Sequence, residues 1–144
     1  MLQTIVGKQF PKIVTPLIES ARRTLDIVVY DWRWYPQDPG ATAQLFNQAV
    51  VRAAHRGVQI RVIANNDEII RTLKSVGCNA KRLPTRGLVH AKLMIIDSSS
   101  FVTGSHNYSQ HAFTENVELS LVGDDPVVAC ELVSFFESLF SLIH

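Results

Sequence analysis

The ten residues from Leu88 to Asp97, LVHAKLMIID, constrain the fold more than any other stretch of the chain. Read as a strand, the run places His90 and Lys92 on one face and Val89, Ala91, Leu93 and Ile95 on the other. Both faces are otherwise apolar, which predicts a central strand covered by helices on either side. An imidazole and an ammonium buried in such a strand are costly unless they are paired or used. His90 and Lys92 are therefore the first candidates for chemistry.

The rest of the pattern supplies the covering elements. Ile13, Val14, Leu17, Ile18, Ala21 and Leu25 recur at helical spacing, predicting a helix that ends near Thr24, with Pro16 either in its first turn after Thr15 or as a kink. LDIVVY (25–30) reads as a strand, followed by the aromatic loop DWRWYPQDPG. A second helix runs from Thr42 to the capping Gly57, VQIRVIAN forms a second strand, and Asn66 or Asp67 caps a third helix that stops at Gly77. CNAKRL, FVTG and VELSLVG are further short strands. The last segment, Pro126 to Ile143, is a helix with a polar stripe of Glu131, Ser134, Ser138 and Ser141 and an apolar remainder wide enough for the core and a partner. Strands alternating with helices predict an α/β fold, a mixed and largely parallel β-sheet sandwiched between helices. At 144 residues the chain suffices for one well-cored domain and is short for two, so residues 1–144 are expected to form a single catalytic domain.

Composition excludes little. A net charge of +1 gives no general argument for nucleic acid, so any basic surface must come from local clustering. Cys78 and Cys130 fit no metal-ligand spacing and are expected as free thiols. The N-terminus has no signal-peptide pattern, and no apolar run approaches the roughly 20 residues that span a bilayer. The chain as it stands reads as cytoplasmic, or as secreted or periplasmic if an upstream signal has been removed.

The reactive groups concentrate in the second half. After His90 and Lys92 come Asp97, the turn GSHN (Gly104 to Asn107), and Glu118. An ammonium, a hydroxyl and an amide around an imidazole form a set of donors around a nucleophile, which suits a tetrahedral phosphate. A carboxylate on the far imidazole nitrogen would fix its tautomer, with Glu118 the first candidate and Asp97 the second. A lysine is a poor neighbour for zinc, so no metal is expected. No GxSxG elbow, phosphate-binding P-loop or GxGxxG turn is present. The alternative is a satisfied core histidine beside a snorkelling lysine; the fixed spacing of Asp97, Gly104, Ser105 and Asn107 argues against it.

The string HAKLMIIDSSSFVTGSHN fits HxKxxxxD, six residues, then GSxN, and so resembles the HKD motif of the phospholipase D superfamily. Asn116 and Glu118 resemble the acidic element that follows in its small bacterial nucleases. Loosely, Lys12 to Asn65 is similar to their layout before the motif. One departure is the triple serine after Asp97, where many relatives have a glycine nearby. The resemblance implies a phospholipase D-like fold and a phosphodiesterase that needs no metal or other cofactor. A histidine attacks phosphorus to give a phosphohistidine, and a second motif histidine protonates the leaving oxygen. This chain carries one motif, so the resemblance implies a homodimer with one shared active site. It assigns His90 as nucleophile or acid, Lys92, Ser105 and Asn107 as phosphate ligands, Glu118 as the group orienting His90, and Asp97 as a brace.

The substrate expectation is nucleic acid, DNA or RNA, single- or double-stranded, cut with low sequence specificity. Trp32, Arg33, Trp34 and Tyr35 could stack bases and neutralise phosphates at the mouth of the site, or Trp32 and Trp34 could be core or interface residues. Lys81, Arg82 and Arg86 could line a backbone path. The alternatives are a lipid phosphodiesterase of the phospholipase D type, for which no exposed apolar loop is expected near the mouth apart from WRWY, and a non-catalytic nucleic-acid-binding module.

Overall fold

In the computed structural model, which describes residues 1–143, seven strands form one sheet: β1 (Leu2–Val6), β2 (Thr24–Val28), β3 (Gln59–Ile63), β4 (Asn79–Lys81), β5 (Leu93–Ile96), β6 (Ser100–Gly104) and β7 (Leu119–Gly123). The helices are α1 (Gln9–Ser20), α2 (Thr42–His55), α3 (Asp67–Ser75), α4 (Gln110–Thr114) and α5 (Pro126–Phe140). The strand order is β1-β7-β6-β5-β2-β3-β4. The mixed α/β sheet between helices is as expected, but its parallel share is smaller than expected. Only β2–β3 and β3–β4 are parallel; the other four pairings are antiparallel. The connections explain this. Helices α2 and α3 return the chain for parallel pairing, whereas β5 and β6 are joined by a tight turn with positive φ at Asp97 and Ser98, which permits only an antiparallel hairpin.

Each face of the sheet has its own core. On one side Phe10, Val14 and Ile18 of α1 and Phe46, Ala49 and Val50 of α2 pack with Ile27, Val62, Met94 and Val102. On the other, α5 buries Ala129 and Phe136 against Val28, Ile63, Leu93, Ile95 and Phe101. Helix α5 is tied down by a charged clamp. Asp26, 2% exposed, accepts from Arg61, its register partner on β3, at 2.8 and 3.1 Å. The same guanidinium reaches Glu137 and lies 4.9 Å from the ring centre of Phe136. The carboxylates of Asp26 and Glu137 hold Arg61 firmly protonated, well above its ordinary range.

Several local expectations shift. Pro16 lies inside α1, so its first-turn reading falls. Asn66 caps α3, accepting from the amides of Glu68 and Ile69. The edge strand β1 and the short α4 carry no sequence signal strong enough to announce them. Leu88 to Asp97 is not one strand, since β5 covers only Leu93–Ile96. Its neighbour β2 ends at Val28, paired with Leu93, so the ladder stops there. His90 and Lys92 therefore stand just ahead of the strand, at the rim of the sheet.

Candidate active site

The rim where β2 and β6 end and β5 and β7 begin gathers the reactive residues. His90 is exposed, while Lys92 is 9% exposed. The Lys92 ammonium lies 3.3 Å from His90 Nδ1 and 3.4 Å from Nε2. An ammonium donates and cannot accept, so this contact calls for an imidazole nitrogen that carries no proton. Burial pulls the Lys92 pKa below its ordinary value, and the negative charge of Glu118 works against that pull. Tyr30, just past β2, packs its ring 5.2 Å from the His90 ring and 5.6 Å from the ammonium.

Hydrogen bonds to the backbone hold this pair in place. Asn65 Nδ2 donates to the carbonyls of Val89 at 2.8 Å and Tyr30 at 3.3 Å, stitching the ends of β2 and β3 to the segment that carries His90. Thr103 Oγ1 donates to the Lys92 carbonyl at 2.7 Å. Sequence reasoning passed over Tyr30 and Asn65 as site residues. Each sits at the carboxyl end of a predicted parallel strand, the place where α/β sheets present ligand-binding groups, and that position was the available signal.

The GSHN turn supplies the opposite wall. Gly104 must be glycine, because a Cβ there would stand 2.4 Å from the Ser120 backbone. Ser105 Oγ donates to Glu118 Oε1 at 2.5 Å and accepts from the Leu119 amide at 3.0 Å. Asn116 Nδ2 donates to the other Glu118 oxygen at 3.1 Å. Within one chain Glu118 is thus bonded to Ser105 and Asn116 and makes no hydrogen bond to His90. Asn107 Oδ1 accepts from the Asp31 amide at 3.1 Å, which turns the side chain toward the loop after β2. Asp97 lies at the far end of β5. It accepts from the amides of Arg23 at 2.7 Å, Thr24 at 3.0 Å and Arg22 at 3.1 Å. Burial works to raise its pKa, but those amides and the charge of Arg23 outweigh it and hold the carboxyl below its ordinary value. Its place is that of a brace.

Other candidates are sorted by exposure. Trp32 is corrected from substrate contact to core: it is 1% exposed, its indole N–H donates to Asn47 at 2.7 Å, and it bridges to Tyr108. A tryptophan needs a partner for that N–H when buried, and Asn47 on α2 provides one. Arg33 is exposed and bonds Asp31 at 3.0 Å. Arg86 is exposed on the loop before His90, Arg82 pairs with Asp67 at 3.1 Å, and the Lys81 ammonium lies 5.1 Å from the Phe140 ring centre. Two single apolar side chains are exposed next to motif residues. Leu88, two residues before His90, is 68% exposed, and Val117, beside Glu118, is fully exposed.

Residues 14–140 match the family model described as cardiolipin synthase, PLD-like domain. The chain belongs to the phospholipase D superfamily. Its fold is that of NucT from Helicobacter pylori, with a TM-score of 0.81 at 22% identity over 99% of this chain and 97% of that one. By sequence it is similar to mitochondrial cardiolipin hydrolase of Xenopus laevis, at 27% identity over 91% of this chain and 60% of the relative. It is also similar to 5'-3' exonuclease PLD3 of Xenopus tropicalis, at 28% identity over 88% of this chain and 29% of the relative. This phospholipase D-like chain thus spans three fifths or less of those curated relatives. It is a superfamily member with both nuclease and cardiolipin hydrolase relatives, which supports an enzyme acting on phosphodiesters.

Proposed function

We propose that the chain is a metal-independent nuclease of low sequence specificity that works through a covalent phosphohistidine in a homodimer sharing one active site. The observation that carries this reading is the His90–Lys92 pair. An exposed imidazole is held at 3.3 Å from a nearly buried ammonium, with Ser105, Asn107 and Glu118 on the same rim. The His90 nitrogen attacks phosphorus, and a nitrogen–phosphorus bond forms as the bond to the leaving oxygen breaks. The second copy's His90 gives that oxygen its proton. Water then attacks phosphorus, the same imidazole takes the water proton, and the nitrogen–phosphorus bond breaks. Lys92, Ser105 and Asn107 bind the non-bridging oxygens. Glu118, engaged in its own chain by Ser105 and Asn116, orients His90 only where a second copy approaches it. Arg86, exposed on the loop before His90, lines the path of the substrate backbone.

The test is cleavage of labelled single- and double-stranded DNA and RNA in excess EDTA, comparing wild type with His90→Ala. Cutting that persists in EDTA and vanishes in the variant supports the reading; activity abolished by EDTA overturns it. Light scattering should give twice the 16.1 kDa chain mass, and an active monomer would remove the shared site.

The exposed Leu88 and Val117 favour a second reading, a lipid phosphodiesterase whose mouth rests on a bilayer. Release of a phosphatidyl product from cardiolipin vesicles, with no cutting of nucleic acid, would establish it instead.

A further inference from the structure

Past the carboxyl ends of β2 and β3, the end of the sheet that carries His90, lies a recess outside the chemistry above. The loop after β2 and the first two turns of α3 enclose about 200 Å3, lined by Trp32, Arg33, Trp34, Asn66, Glu68, Ile69 and Thr72. That is below the roughly 300–1,000 Å3 of drug-sized sites and suits a single planar ring system. Its place is set by Asn65, which bonds the backbones of Tyr30 and Val89. Asn66 is the next residue and Trp32 stands two beyond Tyr30, whose ring packs on His90, so the recess follows both residues directly along the chain.

The lining carries a guanidinium and a carboxylate that do not bond each other. Arg33 uses Nε on Asp31 at 3.0 Å, and its terminal amino groups make no bond among the described residues. The Glu68 backbone is engaged, its N–H on Asn66 and its carbonyl accepting from Thr72, while its carboxylate takes no bond among the described residues. Two of the lining residues are tryptophans. Trp34, half-buried, packs 6.4 Å from Trp32.

We infer that this recess holds the base next to the scissile phosphate and favours guanine. Its catalytic relevance rests on the nuclease reading. Guanine presents N1–H and N2–H donors on one edge and the acceptors O6 and N7 on another, so a carboxylate and a guanidinium in one pocket answer both. Adenine and cytosine each turn a ring-nitrogen acceptor toward the carboxylate where guanine has a donor, and uracil offers a single N–H. Trp34 stacks any base, which holds the ring without choosing it. A one-base bias of this kind is compatible with low specificity over longer sequences.

Nucleoside monophosphates contain no diester, so wild-type protein can be titrated with GMP, AMP, CMP and UMP by tryptophan fluorescence. GMP should bind about tenfold more tightly than AMP, and Glu68→Gln should erase the difference at unchanged melting temperature. Equal affinities, no quenching by any of the four, or a preference that survives Glu68→Gln would overturn the inference. Cleavage of a random-sequence oligonucleotide separates the two claims. Guanine enriched at one position beside the cut supports the recess, and active cutting with uniform ends refutes it while the nuclease reading stands. If nothing is cut, the nuclease reading falls and the titration still judges the recess.

Discussion

Strand β5 has a charged group at each end, and the two are treated differently. At the far end, Asp97 receives three backbone amides and anchors the turn before β2. At the near end, some 17 Å away at the ~3.3 Å rise of a strand, Lys92 is nearly buried with an imidazole and a tyrosine face for company and no carboxylate bonded to it among the described residues. A carboxylate saturated with backbone donors is part of the scaffold. An ammonium whose burial is not balanced by a bonded anion is poised to receive one, and a phosphate supplies that charge. The two residues belong to one short motif, yet one is bonded into the scaffold and the other has no bonded anion among the described residues.

Substitutions can break this contrast. The largest effect is expected for His90→Ala, which should lower phosphodiester cleavage by at least ~10³-fold, within the range for removing nucleophilic and acid–base groups. Its melting temperature should stay within about 2 °C, because His90 is exposed. Lys92→Met should follow, with a loss of about 10²-fold and melting unchanged or raised, since a buried charge is replaced by an apolar chain of similar length. A fall in melting temperature would show that Lys92 is structural. Asp97→Asn should do the reverse: activity retained at low temperature and stability reduced by about 1–3 kcal/mol in urea unfolding. Because the folded Asp97 pKa lies below its ordinary value, its contribution is present at neutral pH and is lost as pH falls through the acid range below ~4. Wild type should therefore lose more stability than Asp97→Asn between about pH 5 and about pH 2. The smallest effect is expected for Ser105→Ala, about tenfold in cleavage. It removes one phosphate donor and releases Glu118 from one of its two side-chain partners.

Much of this was legible beforehand. The boundaries of α2 and α3 follow from caps and apolar spacing, as at Asn66, where a side-chain acceptor meets two amide donors, whereas α1 ends at Ser20 rather than near Thr24, which opens β2. The HxKxxxxD and GSxN spacing brought His90, Lys92, Ser105 and Asn107 to one rim because β5 and β6 form a hairpin, and a hairpin returns its second strand to the start of the first. Trp32 was not legible. Its alternation with Arg33 and Trp34 fits a stacking platform as well as a core anchor, and only the position of Asn47, 15 residues later on α2, separates the two. The partners of Glu118 within one chain were not legible either, since Ser105 and Asn116 reach its two oxygens from separate turns of the chain.

The sequence by itself determined most of the element types and the motif, because periodicity, capping and the spacing of reactive groups are local properties of the chain. Tertiary structure decided which strands run antiparallel, that His90 stands at the rim rather than inside a strand, that Trp32 is core, and that Arg33, Trp34 and Glu68 share one recess. Those outcomes depend on where β2 ends against β5 and which side chains meet across loops from different parts of the chain. Such meetings are set by packing over the whole sheet, and no short window of residues contains them.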